Sequence, residues 1–512
     1  MKKIMTLLLT AAMVCGAAAG AQAVDFKVSG QWIMGFGVGD ASLVNKTRDS
    51  GVSKKASSAD KFSAQQRVRV KLEAVASENL SGTVWFEMGN TRWGQAKNSG
   101  ALGADDTCVK VKNAYIDWAV PDTDLKLRMG IQAISMPNAA GGSAIFDDDM
   151  AAVTVNYKFN ENIGLTMFWA RPVNDNYAEG DWTGSSTSND KSNYLDNLDL
   201  IFLSVPMTFD GLELTPWVMY GIVGQNALKS VNGSAGHYYS TFLYSDFGYR
   251  FGGGQDNYER NSKAYTSAFW AGLPVKVSLL DPVNIEFDFN YGYVESVGRG
   301  TLETSSKRWD TRREGWLAKA LVEYKMDWGT PGIYGWYASG DDDNPKNGSE
   351  RMPSVSPAGS FSTFMGDGGY AWASDSTYFD RNLGYSGTWG IGLRVSDMSF
   401  VENLTHTFRV AYWGGTNSPS MAKYAQTAYA WASYSDYDDS ADPELYLTTN
   451  DAILEFGLVN EYQMYENFAV NLELGYLVNF IDQDTWKKAG TRQTGFDSKD
   501  AWKAHVTFVY SF

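Results

Sequence analysis

The side chains equipped for chemistry are few in these 512 residues, and their spacing is unusual. There are three histidines, His237, His406 and His505, and two cysteines, Cys15 and Cys108. His237 stands in a Gly/Ser stretch, and the alternation around His406 and His505 sets them on different faces of their segments. No GxSxG, HExxH or CxxC spacing occurs, and no Ser/His/acid grouping can be placed, so hydrolytic, zinc and redox chemistry lack an anchor. GFGVGD at 35–40 has glycines enough for a phosphate loop, but no helix pattern follows to supply N-terminal amides. What the chain offers instead is charge at fixed intervals. Arg67, Arg69 and Lys71 recur at every second residue, as do Lys126 and Arg128, while Asp147, Asp148 and Asp149 are consecutive. Cations at i, i+2 and i+4 project from one face of an extended strand, so they line a surface and do not converge on a reacting atom.

Strands must therefore position these residues, and VNIEFDFNYGY (283–293) has the required pattern. Val283, Ile285, Phe287, Phe289, Tyr291 and Tyr293 alternate with Asn284, Glu286, Asp288, Asn290 and Gly292. One face is greasy and the other polar. The same alternation runs through RVRVKLEAVA (67–76), LKLRMGI (125–131), FAVNLELGYLVNF (468–480) and WKAHVTFVYSF (502–512). Several of these runs reach the roughly 9 to 11 residues that a tilted transmembrane strand needs, where globular strands average about 5 or 6.

The two ends and the composition agree with export. MKKIMTLLLTAAMVCGAAAGAQA reads as a secretory signal peptide over residues 1–23, with Lys2 and Lys3, an apolar run, and small residues before a cut after Ala23. Cys15 lies within it, so the mature chain 24–512 keeps only Cys108 and has no internal disulfide. Lys+Arg number 43 against 59 Asp+Glu, and without Lys2 and Lys3 they number 41 against 59, a net −18. So acidic a chain is unsuited to nucleic acid, whose binding rests on phosphate neutralisation. No later apolar stretch reaches the roughly 18 residues of a transmembrane helix. The 14% aromatic content suits the interfacial girdles of a membrane barrel.

Connections alternate in length. Short ones fall at Ser77-Glu78-Asn79, Pro121-Asp122, Asn160-Glu161-Asn162, Asp210-Gly211, Asp281-Pro282, Asp327-Trp328-Gly329, Glu402-Asn403 and Glu466-Asn467. Long ones are rich in Gly, Ser, Asn and Asp. The pattern predicts an all-β fold, a single transmembrane antiparallel β-barrel of about 18 strands, or 16 if two weak runs are lost. Short periplasmic turns would lie at one rim and long extracellular loops at the other. Open sheet edges in hydrocarbon would cost several kcal/mol per unpaired group, so the first strand, near 26–38, must pair with the last, near 499–512. A barrel this wide encloses water.

The stretch from residue 130, GIQAISMPNAAGGSAIFDDDMAAVTVNYKFNENIGLTMFWARPVNDN, resembles the homotrimeric outer-membrane porins of sulfate-reducing bacteria, and the likeness extends more weakly over the whole chain. The terminal Phe512, with Tyr510, Phe508 and Val506 before it, resembles the recognition signal of outer-membrane proteins, although Thr507 stands where that signal prefers Gly. The resemblance implies a homotrimer of water-filled barrels passing ions and small hydrophilic solutes. It also implies that Pro137–Asp149 forms the third long loop, folded inward. Asp147, Asp148 and Asp149 would then face a basic wall of Arg67, Arg69, Lys71, Lys126 and Arg128 across a constriction, creating a transverse field. Lys110 and Lys112 are further candidates for that wall, although the alternation in CVKVKNAYIDWAV changes phase near Asn113, as at a bulge.

The expectation is thus a diffusion porin in the outer membrane of a Gram-negative bacterium, with no catalytic residue and no required cofactor. Two other readings compete with it: a solute-specific channel for an oxyanion such as sulfate, and a structural or adhesive barrel. The loop clusters Asp341–Asp343 and Asp436, Asp438, Asp439 and Asp442 could hold Ca²⁺, but their spacing is not that of an EF-hand. A solvated outer surface, bridged by ions to lipopolysaccharide, is the plainer reading of those clusters.

Overall fold

The segment 283–293 lies in an extended strand in which Phe287 and Phe289 are 38% and 41% exposed while Asp288 and Asn290 are 1% and 5% exposed. The apolar face looks out and the polar face looks in, the reverse of a water-soluble sheet. The computed structural model describes residues 24–40, 46–49, 52–55, 61–94, 101–102, 109–174, 197–224, 258–260, 263–296, 298–301, 308–361, 385–424, 446–487 and 500–512. Cys108, His237 and the cluster Asp436 to Asp442 lie outside the described residues, as does the leader 1–23.

Eighteen strands pair antiparallel around one closed sheet. The first six are β1 (Asp25–Asp40), β2 (Lys61–Ser77), β3 (Leu80–Arg92), β4 (Val109–Ala119), β5 (Leu125–Ser135) and β6 (Asp147–Lys158). Next come β7 (Gly164–Asn174), β8 (Asn197–Ser204 with Met207–Phe209), β9 (Leu212–Leu214 with Trp217–Gly224), β10 (Tyr265–Leu280), β11 (Val283–Val294) and β12 (Arg313–Tyr324). The last six are β13 (Thr330–Ala338), β14 (Thr388–Val401), β15 (Leu404–Gly415), β16 (Ala452–Tyr465), β17 (Phe468–Phe480) and β18 (Ala501–Ser511). β8 and β9 are each interrupted beside a proline, Pro206 and Pro216, which has no N–H to give to a ladder. The Val205 amide donates to the Pro216 carbonyl at 3.1 Å and keeps this hairpin together across the gap.

Closure takes the expected form. Gln31 lies opposite Ser511 and Asp40 opposite Trp502, so β1 pairs with β18 on one side and with β2 on the other, leaving no sheet edge. All eight short turns join the expected neighbours, and the nine remaining connections are long. The strands are longer than the sequence runs suggested, up to 17 residues in β2. No helix among the described residues is long and apolar enough to cross a membrane, which says nothing of a β-barrel.

Aromatic side chains ring the outer surface at two levels. Trp118, Tyr157, Phe209, Tyr324 and Tyr465 stand near the short-turn rim, and Tyr220, Trp316, Tyr337, Tyr412 and Tyr476 stand toward the long-loop rim, all exposed. Tryptophan and tyrosine are residues that favour an interface with one apolar and one wet side. Adjacent rings reinforce the upper belt: Phe289, Trp316 and Tyr337 stack across β11, β12 and β13 at 6.3 and 5.4 Å.

The inner wall is divided. From β6 to β13 it carries buried apolar residues, among them Met150, Phe168, Leu200, Met219, Trp270 and Leu317. From β15 round to β5 it carries charge, including Arg409, Glu455, Glu473, Lys503, Arg69 and Arg128.

Candidate functional site: the lumen and its inward loops

The loop between β5 and β6 turns inward, as the resemblance implied. Gly141 and Gly142 have φ of 66° and 81°, a left-handed conformation that side chains with a Cβ resist. A Cβ on Gly142 would also lie 2.5 Å from the Ala358 carbonyl oxygen. That tight approach reflects the loop's partner, a segment of the long connection after β13. Asp147 donates to Ser356, Val355 to Ile145, Ala358 to Ser143 and Ser360 to Gly141, at 2.7 to 2.9 Å, and Phe146 and Ser356 form a parallel bridge. Two loops thus make a stitched ribbon inside the barrel.

Apolar burial and buried charge both hold the ribbon to the wall. Met136, Ala140, Ile145, Phe146, Met352 and Val355 are at most 2% exposed and join the wall's apolar side chains in one cluster. At about 25 cal/mol per Å² of apolar surface, each large side chain buried here contributes on the order of 2 kcal/mol. Asp288 on β11 accepts from the Ala139 and Ala140 amides at 3.0 and 2.5 Å. Lys319 on β12 lies 3.7 Å from the same carboxylate and donates to the Gly142 carbonyl, with its side chain fully buried. Buried charges need such partners, because an isolated ion in a low-dielectric interior is very costly.

A second anchor fixes the far end of the ribbon. Arg313, 1% exposed, donates to the carbonyls of Arg351 and Met352 at 3.1 Å and to the Ser386 hydroxyl at 2.9 Å. Arg351 donates to the Ser386 carbonyl and lies 5.1 Å over the Tyr446 ring. The Tyr446 hydroxyl donates to Asp341 at 2.8 Å. Loss of water raises the Asp341 carboxyl, and it also pushes Glu350 up to about 7, with Asp341 and Asp342 nearby adding to the effect. Asp341 and Asp342 of the loop triplet are therefore structural acceptors. Among the described residues no group of three or more His, Cys, Asp or Glu is arranged to hold a metal ion.

The charged residues marked in the sequence fall into separate places. Arg67, Arg69 and Lys71 share one face of β2. Arg69 bonds Glu87 of β3 at 2.7 Å, Arg67 approaches the same carboxylate at 3.8 Å, and Lys71 is 3.9 Å from Glu73. Arg128 of β5 holds Asp117 of β4 through two bonds, 2.7 and 3.0 Å, and lies 4.2 Å over the Tyr115 ring. Lys126, also on β5, lines the lumen beside it. This basic wall is laced with carboxylates, which a residue-type count could not show.

The aspartate triplet does not lie in the loop. Asp147–Asp149 begin β6, with Asp147 opposite Ser135 and Asp149 opposite Ala133. Asp149 accepts from Lys112 and, at 2.8 Å, from Asn113, while Asp148 accepts from the Ser356 hydroxyl at 3.1 Å. The triplet stands on the strand next to Arg128, toward the other end of it. Lys112 sits at a register shift between Trp85/Phe86 of β3 and Asn113/Val111 of β4, the bulge its sequence phase implied. Lys110 falls opposite Glu87.

Sequence reasoning missed Asp288, Lys319, Arg313 and Arg351 as anchors, and read Asp341 only as part of a cation-binding or solvated loop cluster. Their position on polar strand faces or in a loop was visible, but their partners lie as far as 177 residues away. His406 pairs with Asn460 at 2.6 Å and His505 with Glu473 at 3.0 Å, on separate strand pairs.

Fold and site together define a closed barrel of 18 antiparallel strands with an apolar exterior, a charged inner wall and loops folded into its bore. No family model matches the chain, and no curated protein matches it. Solved structures aligned to it include OpdQ of Pseudomonas aeruginosa, at 10% identity and TM-score 0.47 over 95% of this chain and 98% of that one. OccK8 (OprE) of the same species aligns at 11% and 0.47 over 96% and 99%, and OccAB3 of Acinetobacter baumannii at 10% and 0.47 over 95% and 100%. At such identities and scores nothing about function is taken from them.

Proposed function

We propose that the protein is an outer-membrane diffusion channel of a Gram-negative bacterium, passing ions and small hydrophilic solutes down their gradients. The observation that carries this is the inverted sheet: exposed apolar residues between two aromatic belts outside, and within it charged or amide side chains wherever the inward loops do not cover an apolar wall. Hydrocarbon on the outside and water on the inside are the conditions under which such a barrel is stable, and a continuous bore follows from its width. The ribbon of 141–147 and 355–360 narrows that bore.

Charge selection comes from the wall that stays open. Arg67, Arg69, Lys71, Lys126 and Arg128 outnumber Glu73, Glu87 and Asp117 among them, so the local field favours anions even though the chain as a whole is acidic. Asp147–Asp149 add negative charge at the long-loop end, where Lys112 offsets part of it. Three copies assemble side by side, the belts face lipid, the outer loops meet lipopolysaccharide, and residues 1–23 are removed on export. The sequence resemblance supports the trimer.

The test is reconstitution in a planar bilayer under a salt gradient, with a chemical cross-link to count subunits. Ohmic steps in groups of three with anion preference are expected. A reversal potential that moves toward cations in Arg67→Gln/Arg69→Gln/Arg128→Gln would establish the wall as the filter. An unchanged potential would keep the channel and discard the filter, and absence of steps from a folded barrel would discard the channel.

A further inference from the structure

Below the inward loop, toward the short-turn rim, the wall of β4 to β9 lines a half-open cavity of about 530 Å³. Its size is within the ~300–1,000 Å³ of small-molecule sites. The lining shares Lys126, Arg128 and Asp117 with the basic wall but is otherwise uncharged. Gln132, Thr154, Asn156, Thr166, Ser204 and Thr215 present uncharged amides and hydroxyls from five neighbouring strands or strand breaks. Two pairs bond each other, Thr154 to Gln132 at 3.0 Å and Thr166 to Asn156 at 2.8 Å, which fixes their orientation. The Asn156 amide nitrogen and the hydroxyls of Ser204 and Thr215 have no protein partner among the described residues. They remain open to a solute.

Largely buried aromatic rings adjoin this polar row. Phe168 and Phe202 stack nearly parallel, with ring centroids 4.6 Å apart and planes at 12°, and both line the cavity with Pro137 and Pro206. The charge at the cavity's edge is largely satisfied, because the Arg128 guanidinium is bound at two points by Asp117. A ligand matched to such a site needs hydroxyls in a fixed array, an apolar C–H face and no net charge.

We infer that this cavity is a binding site for an uncharged polyhydroxylated solute of mono- to disaccharide size. The inference rests on the channel reading and names the solute class that the bore retains on its way through. Binding is weak by design, since a transit site must also release. Lys126, Asn156, Thr166 and Pro206 place the cavity near the short-turn ends of the strands, so a solute reaches it first from that side. Of the charged lining residues, Lys126 makes no ion pair among the described residues, and it defines the competing outcome, preference for an anion.

The experiment uses the full mature chain in a planar bilayer, with sucrose and then gluconate added to one compartment at a time, up to molar concentration. Heat-modifiable gel mobility confirms a folded barrel. Sucrose is expected to reduce the single-channel current with millimolar half-saturation, more effectively from the short-turn side. In Asn156→Leu/Thr166→Val that half-saturation should rise at least about five-fold for each hydrogen bond lost. Equal block in wild type and double variant would overturn the site. Stronger block by gluconate than by sucrose would overturn the solute class, and ohmic steps without block by either would overturn the inference while leaving the channel. Absence of steps would sink the channel reading, and the inference with it.

Discussion

The two halves of the inner wall solve opposite problems. From β6 to β13 the wall is a hydrophobic floor on which two loops are packed, with Asp288, Lys319 and Arg313 among the charged exceptions that hold the loop backbone. From β15 to β5 the charges are numerous and bond one another across neighbouring strands, as in Arg69–Glu87 and Arg128–Asp117. The difference teaches that a polar-facing strand position has no fixed meaning inside a barrel. Where a loop covers the wall, a charge is a fastener; on the bare wall, the same residue type sets a field.

The sharpest way to break this comparison is to remove a fastener. Lys319→Ala leaves Asp288 buried and unpaired, which should cost about 3–5 kcal/mol, release the loop and raise conductance in the bilayer recording. The double change Asp288→Leu/Lys319→Met should recover most of that loss, because it leaves no lone charge. If Lys319→Ala leaves thermal unfolding and conductance unchanged, the apolar floor alone holds the ribbon. Next in size is Phe146→Ala, where a side chain 2% exposed leaves a cavity at a cost of about 3 kcal/mol, read as lower thermal stability with the salt-gradient potential unmoved.

On the bare wall, Glu87→Gln should act in the other direction from the arginine changes. It frees Arg67 and Arg69 from their shared carboxylate and should shift the reversal potential a few millivolts further toward anions, with stability almost untouched. The smallest effect is a pH dependence in the loop. Glu350 carries a raised value of about 7, so the folded loop binds more protons than the unfolded loop between about 4.5 and 7. The loop is therefore held best at the acid side of that window and loosens as pH rises through 7. Hydrogen exchange of residues 341–351 should be slower at pH 5.5 than at 8 once corrected for intrinsic rate, and Glu350→Gln should remove the difference.

Much of the barrel was legible in the sequence because strand alternation and turn chemistry are local. The run 468–480 states which residues face lipid, and Asp210-Gly211 or Glu466-Asn467 states where the chain reverses, without reference to any distant residue. The doubled break at Pro206 and Pro216 shortened the ladder without changing the count of strands. The site was legible in part. Arg67, Arg69, Lys126 and Arg128 stand out by their spacing, but Glu87 and Asp117, which pair with Arg69 and Arg128, come from the adjacent strands and enter only through register. The triplet at 147–149 reads as loop by composition, yet pairing with Ser135, Ile134 and Ala133 drew it into β6. Ladder hydrogen bonds outweighed the poor strand propensity of aspartate.

The ribbon in the bore joins residues about two hundred positions apart, with Ser356 and Asp148 separated by 208. Each hairpin of the wall can close as soon as its second strand emerges, whereas residues 141–147 have no partner until seven further strands have followed β6 and the connection beyond β13 has arrived. Contacts of such long range are made late, after the loop-closure entropy between them has been overcome. The barrel is therefore assembled hollow and furnished afterwards from its outer end, so a freshly inserted copy should conduct more than a mature one.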